Sequence, residues 1–365
     1  MFLSCKPTVT VVCDDYEILL STKENGVIGV EVDGVIYYED NAGALPSEKN
    51  YAKVRLPQNV LDKAKLYTVV FKKSLERVAY WSKLGETERE SFKFKPCKRR
   101  GDINIYHLAD IHSEYELALS AGKYFGSKLD LLILNGDYSE LDTEEDYLKI
   151  RRFTGELSGG KIPVILTRGN HDTRGTVAEK YTDHLTSDGK KTYYTFKVGG
   201  ISGLVLDCGE DKPDESIEYG GTNDFYGFRR RESEFLKSLK RGKFKPLFAV
   251  GHSCPAYTTR NRGSQFDIEG ELYSEWNEEL KRLGIKFYLM GHLHRTDILK
   301  KNDERSLRPH EYPIIVGSAC IQQSGDFCGA AITVSQNILT VRFTNYKKEV
   351  KGIHKIDLTS CEILE

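Results

Sequence analysis

The chain has 365 residues, and at roughly 150 residues per domain it has room for two or three domains. Hydrophobic residues make up 39% and charged residues 29%, which fits a globular chain and excludes a disordered one. The net charge of −1 gives no overall field to attract nucleic acid or an anionic membrane, and no stretch stays apolar for the roughly 18 residues a membrane span needs.

Residues 1–12 include Lys6 and Pro7 where a secretory leader would need an unbroken apolar core, so a cytoplasmic location is expected. Residues 1–97 then read as all-β. Short apolar or alternating runs occupy 17–21, 27–32, 35–38, 51–56, 66–71 and 92–94. Asp33-Gly34, between two of them, signals a type I′ hairpin. This spacing predicts a small antiparallel sandwich of immunoglobulin or fibronectin type as an accessory domain. Residues 95–101, with the basic trio Lys98-Arg99-Arg100, read as a solvated linker.

From 101 to 365 the pattern changes to an α/β one. Strands are expected at 103–109, 129–134, 163–167, 247–250 and 287–290, and helices at 114–125, 143–157, 231–240 and 271–283. Residues 193–198 and 204–206 flank Gly199-Gly200 as a hairpin, and the tail returns to strands at 314–316, 330–334 and 339–344. The run at 129–134 is continuously apolar, as in a sheet covered on both faces. The eight cysteines include no C-x-x-C pair, so free thiols are expected and neither a zinc knuckle nor a thioredoxin-like site.

Five polar clusters follow apolar runs in this second segment. They are Asp110-Ile111-His112, Gly136-Asp137, Gly169-Asn170-His171-Asp172, Gly251-His252 and Gly291-His292-Leu293-His294, and they hold five of the nine histidines. Strands thus deliver carboxylates, a carboxamide and imidazoles at their C-terminal ends, where open α/β sheets place their sites. Within Asp110-x-His112 and His292-x-His294, the period-2 geometry of extended chain would point both side chains the same way. The preceding glycines would allow a sharp turn and a close approach of backbone to an ion.

In these motifs the chain resembles the calcineurin-like metallophosphoesterase superfamily, whose pattern is D-x-H, G-D, G-N-H-(D/E), G-H and G-H-x-H. The resemblance covers residues 101 to 345. It implies a four-layer α-β-β-α metallophosphoesterase sandwich and a site for two divalent transition-metal ions. Asp110, His112 and His294 would hold one ion, Asn170, His252 and His292 the other, and Asp137 would bridge them. His171 would be a catalytic histidine that binds no metal, with Asp172 orienting it. Such His, Asp and Asn ligation suits Mn, Fe, Co, Ni or Zn. The expected reaction is in-line attack of a metal-bridging hydroxide on a phosphate ester, without a covalent enzyme intermediate. Small phosphorylated compounds or nucleotides are the expected substrates. Nucleic acid is not expected, for want of a basic groove.

The two-segment layout also resembles the purple acid phosphatases. That branch has D-x-G and G-D-x-x-Y, whereas His112 and Glu140 stand at those positions here. Arg174, with Asn170 and His171, is the candidate phosphate grip. A protein that kept the fold as a silent scaffold would have lost ligands or the catalytic histidine, and here every position is filled. His107 is expected in the core, and His184, His310 and His354 on the surface. No partner of the N-terminal segment is indicated.

Overall fold

A computed structural model describes residues 1–46, 49–259 and 261–364. The chain opens with β1 (Thr8–Val12), β2 (Asp15–Ser21), β3 (Gly26–Val32), β4 (Val35–Tyr38) and β5 (Tyr51–Pro57). A short helix, α1 (Gln58–Ala64), leads to the long hairpin β6 (Leu66–Arg77) and β7 (Ser82–Lys93). Strands and helices then alternate through β8 (Ile103–Leu108), α2 (Tyr115–Gly122), β9 (Leu131–Asn135), α3 (Glu144–Ser158) and β10 (Pro163–Thr167). Next come α4 (Tyr181–His184), β11 (Tyr194–Val198), β12 (Ile201–Val205), α5 (Phe225–Ser238), β13 (Phe248–Val250), α6 (Gly270–Leu283) and β14 (Phe287–Met290). The chain closes with β15 (Arg295–Leu299), β16 (Ile314–Ser318), α7 (Ile321–Ser324), β17 (Cys328–Ser335), β18 (Ile338–Asn345), β19 (Val350–Asp357) and β20 (Glu362–Ile363).

Two large sheets stack face to face. One has ten strands in the order β20-β19-β18-β17-β8-β9-β10-β1-β2-β5, and the other has six in the order β11-β12-β13-β14-β16-β15. Strands β8, β9 and β10 run parallel, as do β12, β13, β14 and β16. Ile105, Ile133 and Ile165 from the first sheet meet Val205, Val250 and Leu289 from the second in a fully buried layer. The outer face of the ten-stranded sheet packs Leu132, Leu134 and Leu166 against Ile150 and Phe153 of α3. Outside the six-stranded sheet, Tyr288 and Ile314 meet Leu236 of α5 and Trp276 of α6. Burial of both faces is what the continuous apolar strands require, and the α-β-β-α layering is present.

The N-terminal region is all-β as expected, with α1 its one helix among the described residues. Its strands divide between two sheets, however. β1 pairs in parallel with β10, at Val9↔Pro163 and Thr10↔Val164, and β2 and β5 follow antiparallel. These three strands extend the ten-stranded sheet. β4-β3-β6-β7 form a separate sheet whose Val30, Val69 and Phe71 pack with Ile18 and Val54. Residue 97 therefore divides two chain segments that share one sheet. The hairpin between β3 and β4 has the type I′ form, with φ of 48° at Asp33 and 81° at Gly34.

The expected linker is pinned. Lys95 and Lys98 reach the fully buried Asp130 at 3.0 and 3.1 Å, and Cys97 is buried. All eight cysteines are free thiols, as expected. Helix α5 begins six residues before the expected 231, because Asp224 caps it by accepting from the Gly227 N–H at 2.9 Å.

Candidate metal centre

The five clusters leave the C-terminal ends of parallel strands, three from one sheet and two from the other. Asp110 and His112 follow β8, Asp137 follows β9, and Asn170 and His171 follow β10. His252 follows β13, and His292 and His294 follow β14. Because the two sheets face each other, the loops meet at one edge of the sandwich.

The side chains converge on two adjoining positions. At the first, the Nε2 atoms of His112 and His294 stand 3.0 Å apart, and His294 Nε2 lies 3.3 Å from Asp110 Oδ1. Donor atoms of Asp110, His112, Asp137 and His294 all fall within 4.8 Å of one another. At the second, His252 Nε2 is 3.0 Å from Asp137 Oδ2, and His292 Nδ1 is 3.1 Å from Asn170 Oδ1. Asp137 Oδ2 is also 3.7 Å from His112 Nε2, so its carboxylate lies between the two positions.

The backbone route to this convergence differs from the extended one that the spacing suggested. Asp110 (φ 53°), His112 (42°), Asp137 (56°), His292 (68°) and His294 (47°) all have left-handed conformations. Such residues are uncommon outside glycine, each is strained by about 1–3 kcal/mol, and they gather at functional sites. His292 and His294 therefore diverge to different positions instead of pointing together. Among the preceding glycines, Gly169 serves close approach and not conformational freedom: a Cβ there would sit 2.2 Å from Asp137 Oδ1. A Cβ on Gly291 would lie 2.4 Å from that of Ala109.

The electrostatics favour positive charge at both positions. Burial opposes ionisation of Asp137, but His252 and its neighbours hold its carboxyl well below the usual range. Burial likewise opposes protonation of His252 and His294. Asp137 and Asp110 outweigh it at His252, pushing it up to about 9, and Asp110 with Cys320 outweighs it at His294, pushing it up to about 11. Asp110 Oδ2 and His252 Nε2 are buried without a hydrogen-bond partner. His252 Nδ1 donates to the Asn135 carbonyl at 2.7 Å, which leaves Nε2 facing the centre. Orphaned buried donors of the N and O type, beside carboxylates, fit divalent transition-metal ions.

His171 stands beside this set. Its ring meets that of His112 edge-on with centroids 4.8 Å apart, and its Nδ1 lies 2.6 Å from Glu140 Oε1. Glu140, not Asp172, is therefore the group that orients His171. Asp172 is fully buried and accepts the backbone N–H groups of Asp137 (2.8 Å), Tyr138 (3.0 Å) and Gly169 (2.8 Å). It staples the loops after β9 and β10 together, and burial beside Asp137 pushes its carboxyl up to about 7. Arg174 is held by the buried Glu210, with Nη2 donating to Oε2 at 3.0 Å. Its Nη1 remains about the His171 ring, 3.4 Å from Nε2. Arg168 is paired with Asp207 at 2.8 Å below the surface.

A cleft of about 400 Å³ opens over Asp137, Asn170, His171, His292 and His294. Its far wall includes Thr258, Asn261, Phe266 and Gln323, which sequence reading had not singled out. No motif marks them, since they come from a long loop and a one-turn helix. His107 is in the core as expected. His184 and His310 are buried too, against expectation. His184 stacks on Tyr147 at 4.2 Å, and His310 Nδ1 donates to the Tyr312 carbonyl at 2.6 Å.

A family model described as calcineurin-like phosphoesterase matches residues 103–296. No curated protein sequence matches the chain. Among solved structures, the purple acid phosphatase PPD1 from yellow lupin (Lupinus luteus) seeds is similar with a TM-score of 0.64 at 12% identity, over 99% of this chain and 76% of that one. PhoD is similar with a TM-score of 0.57 at 13% identity, over 99% of this chain and 93% of that one. At such identities the likeness is one of fold. No helix among the described residues is long and apolar enough to cross a membrane.

Proposed function

Because the chain belongs to the calcineurin-like phosphoesterase family, we propose that it hydrolyses phosphate esters with the help of two divalent transition-metal ions. The observation that carries this reading is the left-handed, charge-loaded cluster of Asp110, His112, Asp137 and His294, with Asn170, His252 and His292 beside it. In the proposed assignment Asp110, His112 and His294 hold one ion, Asn170, His252 and His292 the other, and Asp137 serves both. Such ions, when bound, supply Lewis acidity and a water-derived nucleophile at neutral pH.

The remaining chemistry belongs to side chains outside the ligand set. His171 faces the cleft and is oriented through Nδ1 by Glu140, which leaves Nε2 to give a proton to the departing ester oxygen. Arg174 Nη1, close to that ring, adds positive charge where a phosphate oxygen would sit. Glu210 keeps the guanidinium from swinging away. The open cleft suits a small phosphorylated compound or a nucleotide, as monoester or diester.

The test compares para-nitrophenyl phosphate with its bis ester, with Mn, Fe, Co, Ni and Zn each added to metal-stripped protein. Turnover of either ester that depends on added metal is expected. Turnover that is absent with every metal, or unaffected by stripping, would overturn the proposal.

A further inference from the structure

Directly behind the ligands lies a buried polar cluster that the reaction does not use. Asn135 ends β9, two residues before Asp137, and is fully buried. Its Oδ1 accepts from Thr167 Oγ1, at the end of β10, at 2.6 Å. Its Nδ2 donates to the carbonyl of Gly251, the residue before His252, at 3.1 Å. The same nitrogen stands 3.0 Å from His107 Nε2 on β8. The Gly251 carbonyl needs a donor, which fixes the amide's orientation. An amide nitrogen only donates, so His107 must accept through Nε2 and carry its proton on Nδ1. That Nδ1 in turn lies against β16, where a Cβ on Gly317 would sit 2.2 Å away. One carboxamide thus joins β8, β9 and β10 of the ten-stranded sheet to the β13 end of the other.

Each proposed metal position takes ligands from both sheets. Asp110 and His112 face His294 across the gap, and Asn170 faces His252 and His292. A small slide of one sheet over the other would therefore spoil both positions at once. Apolar contact between the sheets is non-directional and resists sliding weakly, whereas hydrogen bonds of 2.6–3.1 Å are directional. We infer that Asn135 is a positioning residue that sets the spacing of the two sheets at the metal centre, and with it the separation of the two ion positions. This rests on the metal-dependent reading above.

The test titrates the full chain, stripped of metal, with Mn²⁺ by calorimetry, with circular-dichroism melting as the check on folding. Wild type should take up two Mn²⁺ per chain. Asn135→Leu, of similar volume but unable to hydrogen-bond, should bind Mn²⁺ about 10–100-fold more weakly, the range for groups that orient metal ligands. Its Mn²⁺-loaded form should also lose the exchange-coupled paramagnetic resonance signal of a close metal pair, which a purely structural role would leave in place. Thr167→Val removes one of the hydrogen bonds and should shift affinity in the same direction by less. If Asn135→Leu does not fold, Thr167→Val decides alone. Wild-type Mn²⁺ affinity and coupling in the folded variants would overturn the inference. No Mn²⁺ uptake by wild type would overturn the metal-dependent reading on which it stands.

Discussion

His171 is hydrogen-bonded to a carboxylate, Glu140, that sits three residues beyond Asp137 on a different loop. Replacing His171 with Ala should lower kcat by about 10²–10⁴-fold while metal content, measured by elemental analysis, stays the same. Glu140→Gln should lower kcat by less and leave KM nearly unchanged, because it disturbs the orientation of the ring and not the binding of the ester. His107 supplies a pH test. Burial depresses it to about 4 from an unfolded value near 6.5, so the fold holds it neutral. Its contribution is complete above pH 6.5 and is lost as pH falls toward 4, at about 1.4 kcal/mol for each unit. Urea melts at pH 7.5, 6 and 5 should show His107→Gln losing less stability on acidification than wild type, by up to that amount per unit; His184, depressed likewise, keeps its own share. The clusters that converge on the candidate centre were legible from sequence, since chemistry and strand-end placement name them. The Glu140–His171 pair was not, because it joins two loops 31 residues apart. Nor was the role of Asp172: a carboxylate next to a histidine in sequence gives no sign that its oxygens are already filled by backbone N–H groups.

Most strands and helices of residues 101–345 fall within a few positions of where apolar periodicity puts them, and Pro163–Thr167 and Phe287–Met290 coincide. The elements that periodicity missed have separate causes. Thr8–Val12 alternates Thr and Val but is buried at every position, so its burial does not follow that period, and β19 is half exposed and owes its form to pairing with β18. Short α1 spans fewer than three turns. Missing β1 hid the fusion of the two segments, since it is the strand that joins them. By contrast α3 announces itself through a capping box, in which Thr143 N and Oγ1 both donate to Asp146 Oδ2. Thr143→Ala should cost about 1 kcal/mol, seen as a lower melting temperature with unchanged turnover.

The shared sheet makes the molecule one cooperative body. A fragment of residues 101–365 would leave β10 an open edge and bare the layer that Val9, Val11 and Ile18 cover. It should therefore be insoluble or molten when expressed alone, and the full chain should melt in a single transition by calorimetry. A soluble, well-folded fragment would contradict this. With Lys95 and Lys98 anchored on Asp130, the two segments have no hinge between them, so substrate entry falls to the loops that rim the cleft. Ligation of each ion from two sheets, as proposed, would have a consequence for the protein's supply as well as its chemistry. Ions that bridged the sheets would bind the folded state and not the unfolded one, and would stabilise by mass action: about 2.7 kcal/mol at a hundredfold excess over Kd. A chelator should then behave as a mild denaturant, lowering the melting temperature in proportion to the logarithm of free metal. Marginal folds are cleared by proteolysis, so the steady-state amount of this protein would follow the metal available to it.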